Sequence, residues 1–78
     1  MKSKGTVTVF GAGSWGTAIA KVLAENSFDV LLWGRESNVV NSIERFRENK
    51  LFLPGIKLPR SIHPRNDLDD DCFNVKFL

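Results

Sequence analysis

The sequence predicts an α/β fold, a parallel sheet with helices packed on it, and three observations predict it. Short apolar runs alternate with segments of helical period in the order strand, helix, strand, helix, strand, and such alternation implies parallel strands joined by crossover helices. Glycine closes each of the first two apolar runs, at Gly11 and Gly34. Three glycines stand at the first strand-to-helix bend, with no repeat or low-complexity tract anywhere. Right-handed crossovers put the first two strands side by side.

Thr6 to Phe10 (TVTVF) reads as a strand, β-branched at four positions and ended by glycine. From Ser14 to about Glu25 the period is helical. Trp15, Ala18, Ile19, Val22 and Leu23 form one apolar stripe, with Lys21 and Glu25 off it. Asn26 and Ser27 break the pattern, and Phe28 to Trp33 (FDVLLW) is a second apolar run, too short for a helix. Ser37 is a good N-cap for a second helix ending near Glu48, with Val39, Val40, Ile43 and Phe46 on its inner face.

Residues 49–59 (NKLFLPGIKLP), with two prolines and a glycine, read as a loop. A short third strand follows around Ser61 to His63, confined by Pro64 to an edge or an end of the sheet. Asp67 caps a short helical turn through Leu68 to Cys72, and the alternation of Phe73, Val75 and Phe77 begins another strand.

Seventy-eight residues make at most one small domain. A chain of this size buries only roughly 60% of the surface its unfolded form exposes, so it is marginal without help. At 42% hydrophobic and 26% charged, with mean hydropathy −0.14, it is ordinary globular protein rather than disordered chain. The net charge of +2 comes from scattered lysines and arginines interleaved with acids, which is a solvated surface and not a nucleic-acid patch.

Cys72 is the sole cysteine, so an internal disulfide or a cysteine-based zinc site is excluded and a reducing, cytoplasmic setting is expected. No run approaches the ~20 apolar residues of a membrane helix. Lys2, Lys4 and Ala18-Ile19-Ala20 mimic the ends of a signal peptide, but Thr8 and the glycines interrupt the apolar core between them. His63, before Pro64, reads as a surface histidine without a carboxylate at a telling spacing, and Asp69, Asp70 and Asp71 as a solvated turn rather than a metal site.

Gly11, Gly13 and Gly16 spell G-x-G-x-x-G directly after a strand and opening a helix, where the motif has a mechanism. Gly11 permits the tight turn. Gly13 lets a pyrophosphate approach the backbone, and Gly16 lets helix and strand pack closely. The free N–H groups of the first helical turn then face the phosphates, and the helix dipole adds ~0.3–1 kcal/mol. A nucleoside-triphosphate P-loop would need G-x-x-x-x-G-K-S/T, and Gly16 is followed by Thr17 and Ala18. The motif therefore points to a dinucleotide and to the first half of a Rossmann-type domain.

At the end of the second strand an acid binds the ribose 2′-hydroxyl of NAD, whereas an arginine accommodates the 2′-phosphate of NADP. The run ends Trp33-Gly34-Arg35-Glu36. Arg35 offers a bidentate donor fork to a phosphate, so NADP is expected to be at least tolerated; Glu36 is the counter-candidate favouring NAD.

The strings VFGAGSWGTAIAKVLAEN, LLWGRE and LFLPGIKLP closely resemble the start of the bacterial NAD(P)-dependent glycerol-3-phosphate dehydrogenases, over Thr6 to Leu68. The resemblance implies cofactor contacts from Ser14, Trp15 and the backbone of Gly11, Ala12, Gly13 and Gly16. It places Arg35 at the adenosine end and Phe52 as an enclosing side chain. Core packing is the other reading of both Trp15 and Phe52.

The family reduces dihydroxyacetone phosphate to sn-glycerol 3-phosphate for phospholipid synthesis. It does so with two domains, an N-terminal Rossmann domain and a helical substrate domain that carries the catalytic lysines. None of those lysines has a counterpart here, so no catalytic residue is assigned.

Residues 69–73 (DDDCF) depart from the family's alanine-rich helix, and the chain is expected to be a partial N-terminal domain without the substrate domain. Such a piece leaves a sheet edge open beside the first strand, which invites pairing with a second copy. Three functions fit: the cofactor-binding piece of a dehydrogenase, a non-catalytic dinucleotide-binding module, or an inactive remnant paired through its edge.

Overall fold

β1 (Thr6–Phe10) and β2 (Asp29–Trp33) run parallel in the register Thr6↔Asp29 to Phe10↔Trp33. In the computed structural model, residues 3–67 and the strand at 76–77 are described. α1 (Ser14–Glu25) and α2 (Ser37–Phe46) follow the first two strands, and β3 (Ile62–Arg65) and β4 (Lys76–Phe77) complete a four-stranded sheet of order β3-β2-β1-β4. Every pairing is parallel. The α/β class and the adjacency of the first two strands are as the sequence predicts.

Val7, Thr8 and Val9 are all buried, because a strand inside a parallel sheet is covered on both faces. The even register brings the carboxyl ends of the strands level. There the Gly11 N–H donates to the Trp33 carbonyl and the Gly34 N–H to the Arg65 carbonyl, both at 2.8 Å. The two glycine ends therefore stand side by side at the top of the sheet.

The core gathers Val9, Val30, Leu32, Ile43 and Ile62 with Leu58 from the loop. Leu32 is completely buried. Leu32→Ala is expected to cost about 2–5 kcal/mol, enough to unfold much of so small a chain. Urea unfolding followed by circular dichroism measures it.

The two helices correct the sequence reading in detail. In α1 the buried residues are Thr17 and Ala20, with Leu23 and Ala24 packed against the core. Trp15 is 83% exposed and Val22 57%. The apolar stripe through Trp15, Ile19 and Val22 thus faces outward, because the arc of small residues lets the helix approach the sheet more closely.

In α2 the cap is Glu36 in extended backbone and Ser37 is already helical; no side chain caps the helix. Val39, Val40 and Ile43 are buried as expected, but Phe46 is 46% exposed beneath the Lys50 ammonium, 3.8 Å from its ring centre. The helix stops at Phe46 because Arg47 turns left-handed (φ 53°). The Arg47 guanidinium donates to the carbonyls of Pro59 and Ile62, tying the loop to β3. Burial first, and the charge of Arg60 second, push the Arg47 pKa down.

β3 runs one residue later than expected and extends through Pro64, which pairs with Leu32 on the outer strand, where a residue without an N–H is tolerated. β4 pairs with β1 at Val7 and Thr8, so the edge expected to be open is covered there. The turn from Leu68 to Cys72, the three aspartates and the alternation at Phe73 and Val75 fall outside the described residues.

Candidate functional site

The cofactor-binding site predicted from the glycines lies where the sheet ends and α1 begins. Gly11 turns the chain with φ 113°, a conformation that L side chains rarely adopt. Gly13 is the N-cap of α1, without a side-chain cap and without an acid in the first turn. The first N–H groups of a helix have no intrahelical partners, so this end presents uncancelled donors and the positive end of the dipole.

A Cβ built on Gly13 would meet nothing within 4 Å, whereas one on Gly16 would lie 1.7 Å from the Gly11 carbonyl oxygen. Gly13 leaves room and Gly16 is filled. The first suits a ligand against the backbone; the second is demanded by the contact of helix with turn.

Beside this bend is a cleft of about 230 Å³, lined by residues 11–13 from the turn, 33–36 from the end of β2, and Phe52. It brings Gly11, Ala12, Gly13, Arg35 and Phe52 together although they are spread over 42 positions of sequence. Arg35 and Glu36 both line it and both are exposed. Gly34 is buried beneath them, and a Cβ there would stand 3.0 Å from that of Ala12.

Ser14, Trp15 and Gly16 line a neighbouring hollow with Phe10 and Ile19. Ser14 reaches back, its hydroxyl donating to the Phe52 carbonyl at 2.6 Å. Trp15 is no core residue. Trp15→Ala is expected to change stability by no more than about 0.5 kcal/mol, so any loss of dinucleotide affinity in that variant reports contact, and thermal unfolding beside the binding titration separates the two.

His63 does have a carboxylate neighbour, Asp29, at 3.6 Å across β2 and β3, but both side chains are exposed. Among the described residues no group of three or more His, Cys, Asp or Glu is placed to hold a metal ion, and no helix is long and apolar enough to cross a membrane.

Sequence reasoning missed Asn49. Its side chain is fully buried and donates to the Ala12 carbonyl and to Thr17 Oγ1, both at 2.9 Å, while its Oδ1 accepts the Phe52 N–H at 3.1 Å. An asparagine opening a loop looks like any solvated one. The only available signal is its place three residues before Phe52-Leu53-Pro54-Gly55.

Comparison with known proteins places the geometry among relatives. Residues 6–78 match the family described as NAD-dependent glycerol-3-phosphate dehydrogenase N-terminus. The chain is 44% identical over 70 residues to glycerol-3-phosphate dehydrogenase (NAD(P)+) of Bacillus licheniformis, covering 90% of this chain and 20% of that protein. It is 46% identical over 72 residues to the protein of the same name from Carboxydothermus hydrogenoformans, covering 92% and 21%.

Its fold matches the crystal structure of glycerol-3-phosphate dehydrogenase from Coxiella burnetii with TM-score 0.83 and 36% identity, over 92% of this chain and 22% of that one. The structure from Saccharomyces cerevisiae matches with TM-score 0.79 and 35% identity, over 100% and 26%. The chain thus spans about a fifth of the length of the curated relatives it matches.

Proposed function

Because the chain belongs to the NAD-dependent glycerol-3-phosphate dehydrogenase family, matching its N-terminal part, we propose that it supplies the pyrophosphate and adenosine half of a nicotinamide dinucleotide site. The observation that carries this reading is the pair Gly13 and Gly16. Open space at one and a blocked Cβ at the other are what a backbone-held pyrophosphate and a close helix packing require.

In this reading the backbone of Gly11, Ala12, Gly13 and Gly16, with Ser14 and Trp15, holds the phosphates. Arg35 meets the adenosine ribose and its 2′-phosphate, so NADPH is accepted beside NADH. Phe52 closes the far wall. When bound, the nicotinamide supplies the hydride that reduces dihydroxyacetone phosphate to sn-glycerol 3-phosphate, for phospholipid synthesis in the cytoplasm.

Residues 1–78 then make up a partial N-terminal domain, and the substrate is handled by a domain outside this chain. No catalytic residue is assigned within it.

Calorimetric titration of the 78-residue chain with NADPH and then NADH tests the reading. Saturable binding is expected, with no turnover of dihydroxyacetone phosphate by the chain alone. A folded chain that binds neither dinucleotide overturns it.

A further inference from the structure

We propose that Asn49 is a positioning residue for the dinucleotide site, one that aims the Gly13 N–H into the cleft without touching the ligand. The inference rests on the dinucleotide reading above. Asn49 stands 37 residues from Ala12 in sequence, yet its side chain is fully buried against the glycine bend.

The chemistry of its partners fixes which way the amide faces. The Ala12 carbonyl can only accept and the Phe52 N–H can only donate, so Nδ2 lies toward the bend and Oδ1 toward the loop. Both amide hydrogens are used, one on Ala12 and one on Thr17 Oγ1. The Asn49 backbone carbonyl also accepts the Leu53 N–H at 2.8 Å.

The consequence runs through one peptide plane. The carbonyl of Ala12 and the N–H of Gly13 belong to the same peptide group, and in a trans peptide they point in opposite directions. The described chain contains no cis bond. With the Ala12 oxygen held inward by Asn49, the Gly13 N–H is turned outward, where Gly13 lines the cleft and no atom crowds its Cβ position.

Without that inward bond the buried Ala12 carbonyl would lose a partner, and the plane would be free to rotate in a turn that two glycines already make loose. The same side chain fixes the Phe52 backbone, which Ser14 holds from the other side. A single amide therefore sets the position of a backbone donor and of the Phe52 backbone, two residues that both line the cleft.

The test compares the unmodified 78-residue chain with Asn49→Asp and Thr17→Val, by titration with NADPH and by amide NMR spectra during that titration. Asn49→Asp is nearly isosteric and keeps the acceptor for Phe52, but sets an oxygen against the Ala12 carbonyl. Its affinity is expected to fall at least about tenfold, with the free-state Gly13 amide resonance displaced and its response to NADPH lost. Thr17→Val removes a bond to the same asparagine but spares the Ala12 carbonyl, and is expected to keep affinity within about threefold.

Equal losses in the two variants would reduce Asn49 to packing and overturn the proposal. So would an Asn49→Asp chain with undiminished affinity. In the unmodified chain alone, a Gly13 amide that stays still while other resonances move with NADPH overturns it, whether or not the variants fold. A folded unmodified chain that binds no dinucleotide removes the dinucleotide reading itself, and this inference with it.

Discussion

Gly16→Ala is expected to leave the chain unfolded at room temperature. The added Cβ would sit 1.7 Å from the Gly11 carbonyl oxygen and 2.9 Å from its carbon, both backbone atoms at the turn out of β1. No side chain can rotate away to relieve the clash, so α1 must slide off the sheet and take the buried Thr17 and Ala20 with it. Overpacking of this kind reaches the upper end of its usual cost, about 3 kcal/mol or more.

A domain this small has little to lose. Gly13→Ala is the matched comparison, with φ −82° and open space around the new methyl. It is expected to fold, at a cost of no more than about 1 kcal/mol for a poorer N-cap, yet to lose dinucleotide affinity, because in the proposed site the methyl would stand where the phosphates approach. Circular dichroism melts together with NADPH titration separate the two glycines, and a folded Gly16→Ala chain would refute the packing argument.

Arg35→Ala is expected to weaken NADPH binding about ten- to a hundredfold, the equivalent of the roughly 1.5–3 kcal/mol carried by hydrogen bonds to a charged group. NADH binding should change by much less, since it has no 2′-phosphate for the guanidinium to meet. Arg35 is exposed at the mouth of the cleft and holds no core together, so its removal leaves stability almost unchanged. Paired titrations measure the ratio. Equal losses for both cofactors would sink the assignment and return the ribose contact to Glu36, on the same cleft wall.

The bounds of β1 and the start of α1 were legible to the residue because their signals are local: β-branched alternation, then glycine, then helical period. Which side of α1 faces the sheet was not legible. Periodicity detects the bulky arc of Trp15, Ile19 and Val22, while contact is made through Gly16, Thr17 and Ala20, whose small size is what permits it.

Phe46 misleads in the same way: it falls on the apolar face of α2 but lies in its last turn, past the edge of what the sheet covers. The site divides along the same line. The glycines and Arg35 of the proposed site announce themselves by spacing, whereas Asn49 is joined to it by tertiary hydrogen bonds from a loop, and no local pattern distinguishes it from a solvated asparagine.

The tight approach of Gly34 to Ala12 bears on how this sequence can drift. A methyl gained at position 34 would press on the methyl already at position 12, with only 3.0 Å between them, and the crowding would be felt in the turn that lines the cleft. Gly34→Ala meets less crowding once Ala12→Gly has vacated the space, so the cost of the first substitution depends on whether the second is already in place. Two positions on different strand ends thus share one methyl's worth of volume.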